Sequence, residues 1–152
     1  MKETDRSIKL FEDLYNGNPW IDVNIVSVLS QINAIQASKK ILPHCNSIWE
    51  ITNHLISWRI NVLQRVQGEI TNSPENNYFS PIEDTSENAW SDTLDKLQKT
   101  QQQWIDFLKA FKEEFFDEVY PANNMTYYEH IHGLIQHDAY HLGQIVLLAK
   151  FK

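Results

Sequence analysis

Histidine is the commonest neutral metal ligand among side chains, and four of the six in this sequence, His130, His132, His137 and His141, fall within twelve residues. His137 and His141 form H-x-x-x-H. On a helix their rings project ~40° apart and ~6 Å along the axis, so both can reach one ion. Two imidazoles make a loose site, and a third ligand must come from another helix. His54 is the candidate, because it lies among Ile51, Leu55 and Trp58 on an apolar stripe, and an inward imidazole needs a partner. Each histidine taken singly reads equally as a hydrogen-bonded core or surface residue. Their combination points to metal, since Leu134, His137, His141, Gln144 and Leu148 step by three and four along one stripe.

His130 lies seven residues before His137, ~10 Å along the axis, which suits a supporting or structural role better than a fourth ligand. His132 points about 140° away from His137 and is expected at a surface or interface. His44 and Cys45 adjoin after Pro43, and without a C-x-x-C spacing Cys45 reads as a small buried residue or, as the alternative, a loop thiol close to the bundle mouth. A dinuclear carboxylate site fails as a rival. Glu129-x-x-His132 and Asp138-x-x-His141 share one segment, whereas that scheme needs such pairs on two helices. Asp138 follows His137, so no H-E-x-x-H occurs, and no nucleophile elbow, phosphate loop or dinucleotide fingerprint is present.

Helices must position these residues. Ser47-x-x-Glu50 is a capping box, and Ile48, Ile51, Leu55, Trp58 and Val62 make one stripe, which predicts a helix over about 46–68. Trp90, Leu94, Leu97, Trp104, Phe107 or Leu108, Phe111 and Phe115 keep a near-heptad rhythm interrupted by Gln101 and predict a helix over 86–117. A second box, Thr126-x-x-Glu129, opens a helix over 126–150. Gly133 and Gly143 inside it cost ~1 kcal/mol each and are expected to pack closely against a neighbour. Nearer the N-terminus, Ser7–Tyr15 and Trp20–Ile32 read as helices and Asn33–Lys40 as a short helical turn. The polar stretch Thr71–Asp84 is long for a bundle connection and is expected to cross a bundle end or line a site. No period-two run calls for a strand. The expectation is an all-α protein, one four-helix-bundle domain over 1–152 with extra short helices near the N-terminus.

The chain has 152 residues, 42% of them hydrophobic, enough for a real core. Thirteen Lys and Arg against 20 Asp and Glu give a net charge of −7, which argues against a nucleic-acid partner. A single cysteine, no signal-peptide pattern and no apolar run of ~20 residues lead to the expectation of a cytoplasmic protein without a membrane partner.

Asn46 to Trp58 (NSIWEITNHLISW), His137 to Ile145 (HDAYHLGQI) and Leu14 to Trp20 (LYNGNPW) resemble the DinB-like (YfiT-like) metalloenzyme family across essentially the whole chain. The resemblance implies a four-helix bundle with a three-histidine site for a divalent ion, usually zinc or nickel, frequently in a homodimer. It also implies metal-dependent transferases and isomerases that use low-molecular-weight thiols.

Three imidazoles leave a coordination position for water or substrate, whereas structural zinc usually has four protein ligands. The favoured expectation is therefore a metal-dependent enzyme acting on a small-molecule substrate, either a hydrolase or, as the resemblance implies, a thiol-dependent S-transferase. Gln144, one turn beyond His141, is a candidate for a hydrogen bond to a ligand. Glu50, one turn before His54, and Asp138 are candidates for orienting a ligand or moving a proton. The alternatives are a non-catalytic metal-binding bundle acting as a structural or interaction protein, and a bundle without chemistry that dimerises through Phe115 and Phe116. The 18 aromatic residues also favour a homodimer.

Overall fold

A computed structural model describes residues 1–151 and is all-helical. Its elements are α1 (Glu3–Asn16), α2 (Ile25–Leu29), α3 (Ala34–Ser38), α4 (Ile48–Val66), α5 (Glu87–Ala110), a 3-10 turn at Glu113–Phe115, and α6 (Tyr127–Ala149). The four long helices α1, α4, α5 and α6 form the bundle, and α4 against α6 is its most extensive pairing. Among the described residues the only β feature is an isolated bridge between Val119 and Thr126.

Local chemistry sets the helix starts. Ser47 Oγ accepts from the Glu50 N–H and Glu50 Oε2 accepts from the Ser47 N–H, and Thr126 and Glu129 repeat the exchange at the start of α6. Two core clusters follow, one around Trp49, Leu55, Trp90, Leu142 and Ile145, the other around Phe11, Trp104, Leu108 and Ile131. Phe11 stacks on Trp104 at 5.0 Å, tying α1 to α5. No helix of the described chain is long and apolar enough to cross a membrane.

Several expected boundaries move. Trp20–Ile32 is helical only over Ile25–Leu29, because Asp22 adopts a left-handed φ of 58° and Asn24 caps the helix by accepting from the Ser27 N–H. The expected 86–117 helix stops at Ala110. Phe111 is extended there, and the 3-10 turn swings Phe116 back against Phe111 at 5.1 Å while Tyr128 N–H donates to the Phe116 carbonyl. The apolar rhythm persists across the break because both pieces face the same core. Phe116 is consequently buried, so the expected Phe115–Phe116 dimerising surface shrinks to Phe115.

Gly133 and Gly143 do not have the expected close neighbours. A Cβ built on either meets nothing within 4 Å. Gln101 is no gap in the core pattern. Its Oε1 accepts from Arg59 Nη1 at 2.9 Å, and its Nε2 donates to the Phe11 carbonyl at 3.3 Å. Cys45 is exposed, against the expectation of burial.

Candidate metal centre

α4 and α6 bring His54, His137 and His141 together, with one nitrogen of each within 4.8 Å of the others. His54 Nε2 stands 3.0 Å from His137 Nε2. His54 is held from behind, since its Nδ1–H donates to the Asn77 carbonyl at 2.6 Å and its ring stacks on Phe79 at 4.1 Å. Asn77 and Tyr78 both take left-handed backbone conformations, φ 52° and 63°. That turn aims the Asn77 carbonyl at His54, while Asn77 Oδ1 accepts from Trp58 Nε1 at 2.9 Å. His141 Nδ1–H donates to Gln144 Oε1 at 2.7 Å, and Gln144 Nε2 in turn donates to the Tyr140 hydroxyl at 3.2 Å.

These bonds assign tautomers. A carbonyl oxygen only accepts, so His54 carries its proton on Nδ1 and presents a lone pair at Nε2. The same logic frees Nε2 of His141. Burial is the largest influence on His54, pushing its pKa down to about 4, with His141 and His137 lowering it further against the Asn77 bond. Burial likewise lowers His141. Both rings are neutral at pH 7, the state in which imidazole ligates metal.

His137 supplies the test of fit. Its Nδ1 is buried without a hydrogen bond, and so is Asp138 Oδ1, 3.7 Å away. Without a metal ion, the 3.0 Å contact to His54 demands a proton on His137 Nε2, which in the neutral ring leaves Nδ1 a lone pair facing a carboxylate. With a cation among the three Nε2 atoms, the proton moves to Nδ1 and points at Asp138, the carboxylate–histidine–metal relay common in metal sites. Zinc bonds of ~2.0–2.1 Å in tetrahedral array separate ligand nitrogens by roughly 3.3 Å, within a few tenths of an ångström of the pair present. The donor set fits a divalent ion.

Asp138 is wholly buried and anchored by Arg59, also wholly buried, whose Nε donates to Asp138 Oδ2 at 2.8 Å. A buried carboxylate needs such a partner. Among the remaining expected residues, Gln144 backs His141 directly. Glu50 stands apart, since its Oε2 caps α4 and meets Lys40 Nζ at 2.6 Å, and it does not line the cavity beside the triad. Burial raises its carboxyl, but the Lys40 and Ser47 hydrogen bonds together outweigh that and hold it below the usual carboxylate range. His130 lies outside the triad. Its Nδ1–H donates to the Thr126 carbonyl at 2.9 Å and its Nε2 accepts from Asn123 Nδ2 at 3.3 Å. His132 packs on Tyr128 at 4.1 Å near Glu3.

The triad opens into a cavity of about 760 Å³ whose wall includes Trp58, Arg65, Phe79, Gly133 and Leu134. The Thr71–Asp84 segment lines it through Asn77 and Phe79, and Cys45 sits on the same wall. Asn77, Arg59 and Arg65 carry no signal in the sequence pattern. Asp138, an acid beside inward-facing His137, is the one hint that a buried cation must oppose it.

The family model described as DinB superfamily matches residues 24–145. A crystal structure of a conserved protein from Enterococcus faecalis is similar over 97% of this chain and 91% of its own, with a TM-score of 0.65 and 16% identity, a likeness of fold. No curated protein matches the sequence.

Proposed function

Because this chain belongs to the DinB superfamily, we propose that it is a metal-dependent enzyme whose divalent ion, zinc or nickel, is held by His54, His137 and His141. The observation that carries the reading is the back-anchoring of the triad. Asn77, Asp138 and Gln144 each offer an acceptor behind one ring, and no fourth His, Cys, Asp or Glu joins the cluster among the described residues. A three-imidazole ion keeps a position for an outside group and lowers the pKa of water or a thiol bound there.

The chain's own groups prepare that position. Trp58 and Phe79 flank the imidazoles, with Trp58 centred 5.9 Å from His137, and restrict water. Asn77 and Gln144 fix the His54 and His141 rings before any ligand arrives, and Asp138 stands behind His137 to accept from its Nδ1, which limits reorganisation in the reaction. The cavity falls within the usual 300–1,000 Å³ of small-molecule sites, supporting a small-molecule substrate. Thiol transfer ranks above hydrolysis on the family's account, with a low-molecular-weight thiol as co-substrate.

Cobalt-loaded protein tests the reading. Adding small thiols should produce a sulfur-to-cobalt charge-transfer band. If no thiol perturbs the spectrum and water exchange shows a closed shell, the non-catalytic metal-binding bundle replaces the enzyme.

A further inference from the structure

At the end of the cavity away from the triad stands a guanidinium with no anion to match it. Arg65 is held in place on three sides. Its guanidinium carbon lies 5.4 Å from the Trp58 ring centre and 5.4 Å from that of Tyr120, and its Nε donates to Thr71 Oγ1 at 3.3 Å. Neither terminal nitrogen has a protein acceptor, and no carboxylate of the described residues comes within ion-pair distance. Glu129, the acid on the same cavity wall, is occupied by the Thr126 N–H and hydroxyl.

The two polar ends share one ring. Trp58 lies between the imidazoles and the guanidinium, and Tyr120 likewise sits against both Arg65 and His130, 5.2 Å from the latter. His130 is seven residues before His137 on α6, so the ends are about 10 Å apart along that helix. Gly133 lies between them and leaves the wall open, with nothing within 4 Å of where its Cβ would be.

We propose that Arg65 receives a carboxylate of the substrate, so that the cavity selects an elongated small molecule with an apolar middle, a metal-seeking group at one end and a single carboxylate at the other. A fixed guanidinium fork matches a planar carboxylate in two parallel hydrogen bonds. A single cation on the wall of a protein of net charge −7 suits a singly charged group rather than a dianion. The proposal rests on the metal reading for the far end only.

The test compares ω-mercaptooctanoate with the neutral ω-mercaptooctanol on cobalt-loaded wild type, Arg65→Gln and Arg65→Lys proteins. Calorimetry reads affinity and the charge-transfer band reads the metal end. The acid should bind at least about tenfold tighter than the alcohol, the value of one charge-assisted hydrogen bond. Arg65→Gln should bring the ratio to about one through loss of acid affinity alone, and Arg65→Lys should restore only part of it. Gly133→Leu should weaken both ligands while leaving cobalt content unchanged. Equal affinities in the wild type, or no binding of either ligand by calorimetry, would overturn the Arg65 assignment. If the acid outbinds the alcohol yet no band forms, Arg65 stands and the thiol-at-metal reading falls.

Discussion

His54 Nε2 and His137 Nε2 meet at 3.0 Å across the α4–α6 interface, His54 held from behind by the Asn77 carbonyl and His137 backed by the unpartnered Asp138 Oδ1 at 3.7 Å. Two neutral imidazoles facing through nitrogen need a shared proton or a cation, and the unpartnered His137 Nδ1 facing Asp138 favours the cation. One divalent ion per chain is expected after loading and dialysis. His54→Ala, His137→Ala and His141→Ala should each lose it, whereas His132→Ala should keep it. Unchanged metal content in His54→Ala would remove His54 from the ligand set.

Asp138 joins metal affinity to folding. Asp138→Asn should weaken metal binding by about 10–100-fold, as loss of a supporting partner does elsewhere. It also strips Arg59 of its counter-charge, and breaking a buried pair costs about 3–5 kcal/mol. Isothermal metal competition reads the first effect and denaturant unfolding of the metal-free protein the second. A variant with wild-type values in both would refute the relay.

Acid should destabilise the metal-free protein through its buried imidazoles. His54 is depressed to about 4 in the fold and returns to about 6.5 when unfolded, so the unfolded chain takes up the extra proton between these values. Its stabilising share is complete above pH 6.5 and is lost as pH falls toward 4. Thermal melts in chelator at pH 7.5, 5.5 and 4.5 should fall more steeply for wild type than for His54→Gln.

The open surroundings of Gly143 predict a gain rather than a loss on adding a methyl group. Gly143→Ala should raise stability by about 0.4–1 kcal/mol, a shift of about 1–4 °C in Tm by calorimetry. A lower Tm would mean that the α6 surface there is covered in solution.

We propose a homodimer, to be tested against the exposed aromatic and aliphatic groups, Trp20 at 98% exposure foremost. Sedimentation at micromolar concentration should return twice the chain mass, and a clean monomer would reject it.

The capping boxes at Ser47 and Thr126 and the spacing of His137 and His141 are local, so the sequence makes the bundle's two site helices and most of the triad legible. Arg59, Gln101 and Asp138 meet only after three helices pack, and apart from the acid at Asp138 beside inward-facing His137 nothing in the i, i+4 pattern of any one of the helices announces a buried ion pair. Asn77 was likewise hidden. The length of the polar stretch Thr71–Asp84 points to a site, but the part of Asn77 depends on a left-handed backbone pair that composition does not reveal.

Trp58 gives that loop a consequence for spectroscopy. Of the five indoles, those of Trp49, Trp90 and Trp104 donate to buried groups on Thr93, Ile32 and Arg59, and Trp20 lies on the surface, while Trp58 alone donates to Asn77. Exchange of this one indole proton requires the Trp58–Asn77 bond to break, so its rate reports on the same turn that holds the His54 imidazole. A single resonance in a proton spectrum would read the integrity of that turn with no label and no substrate.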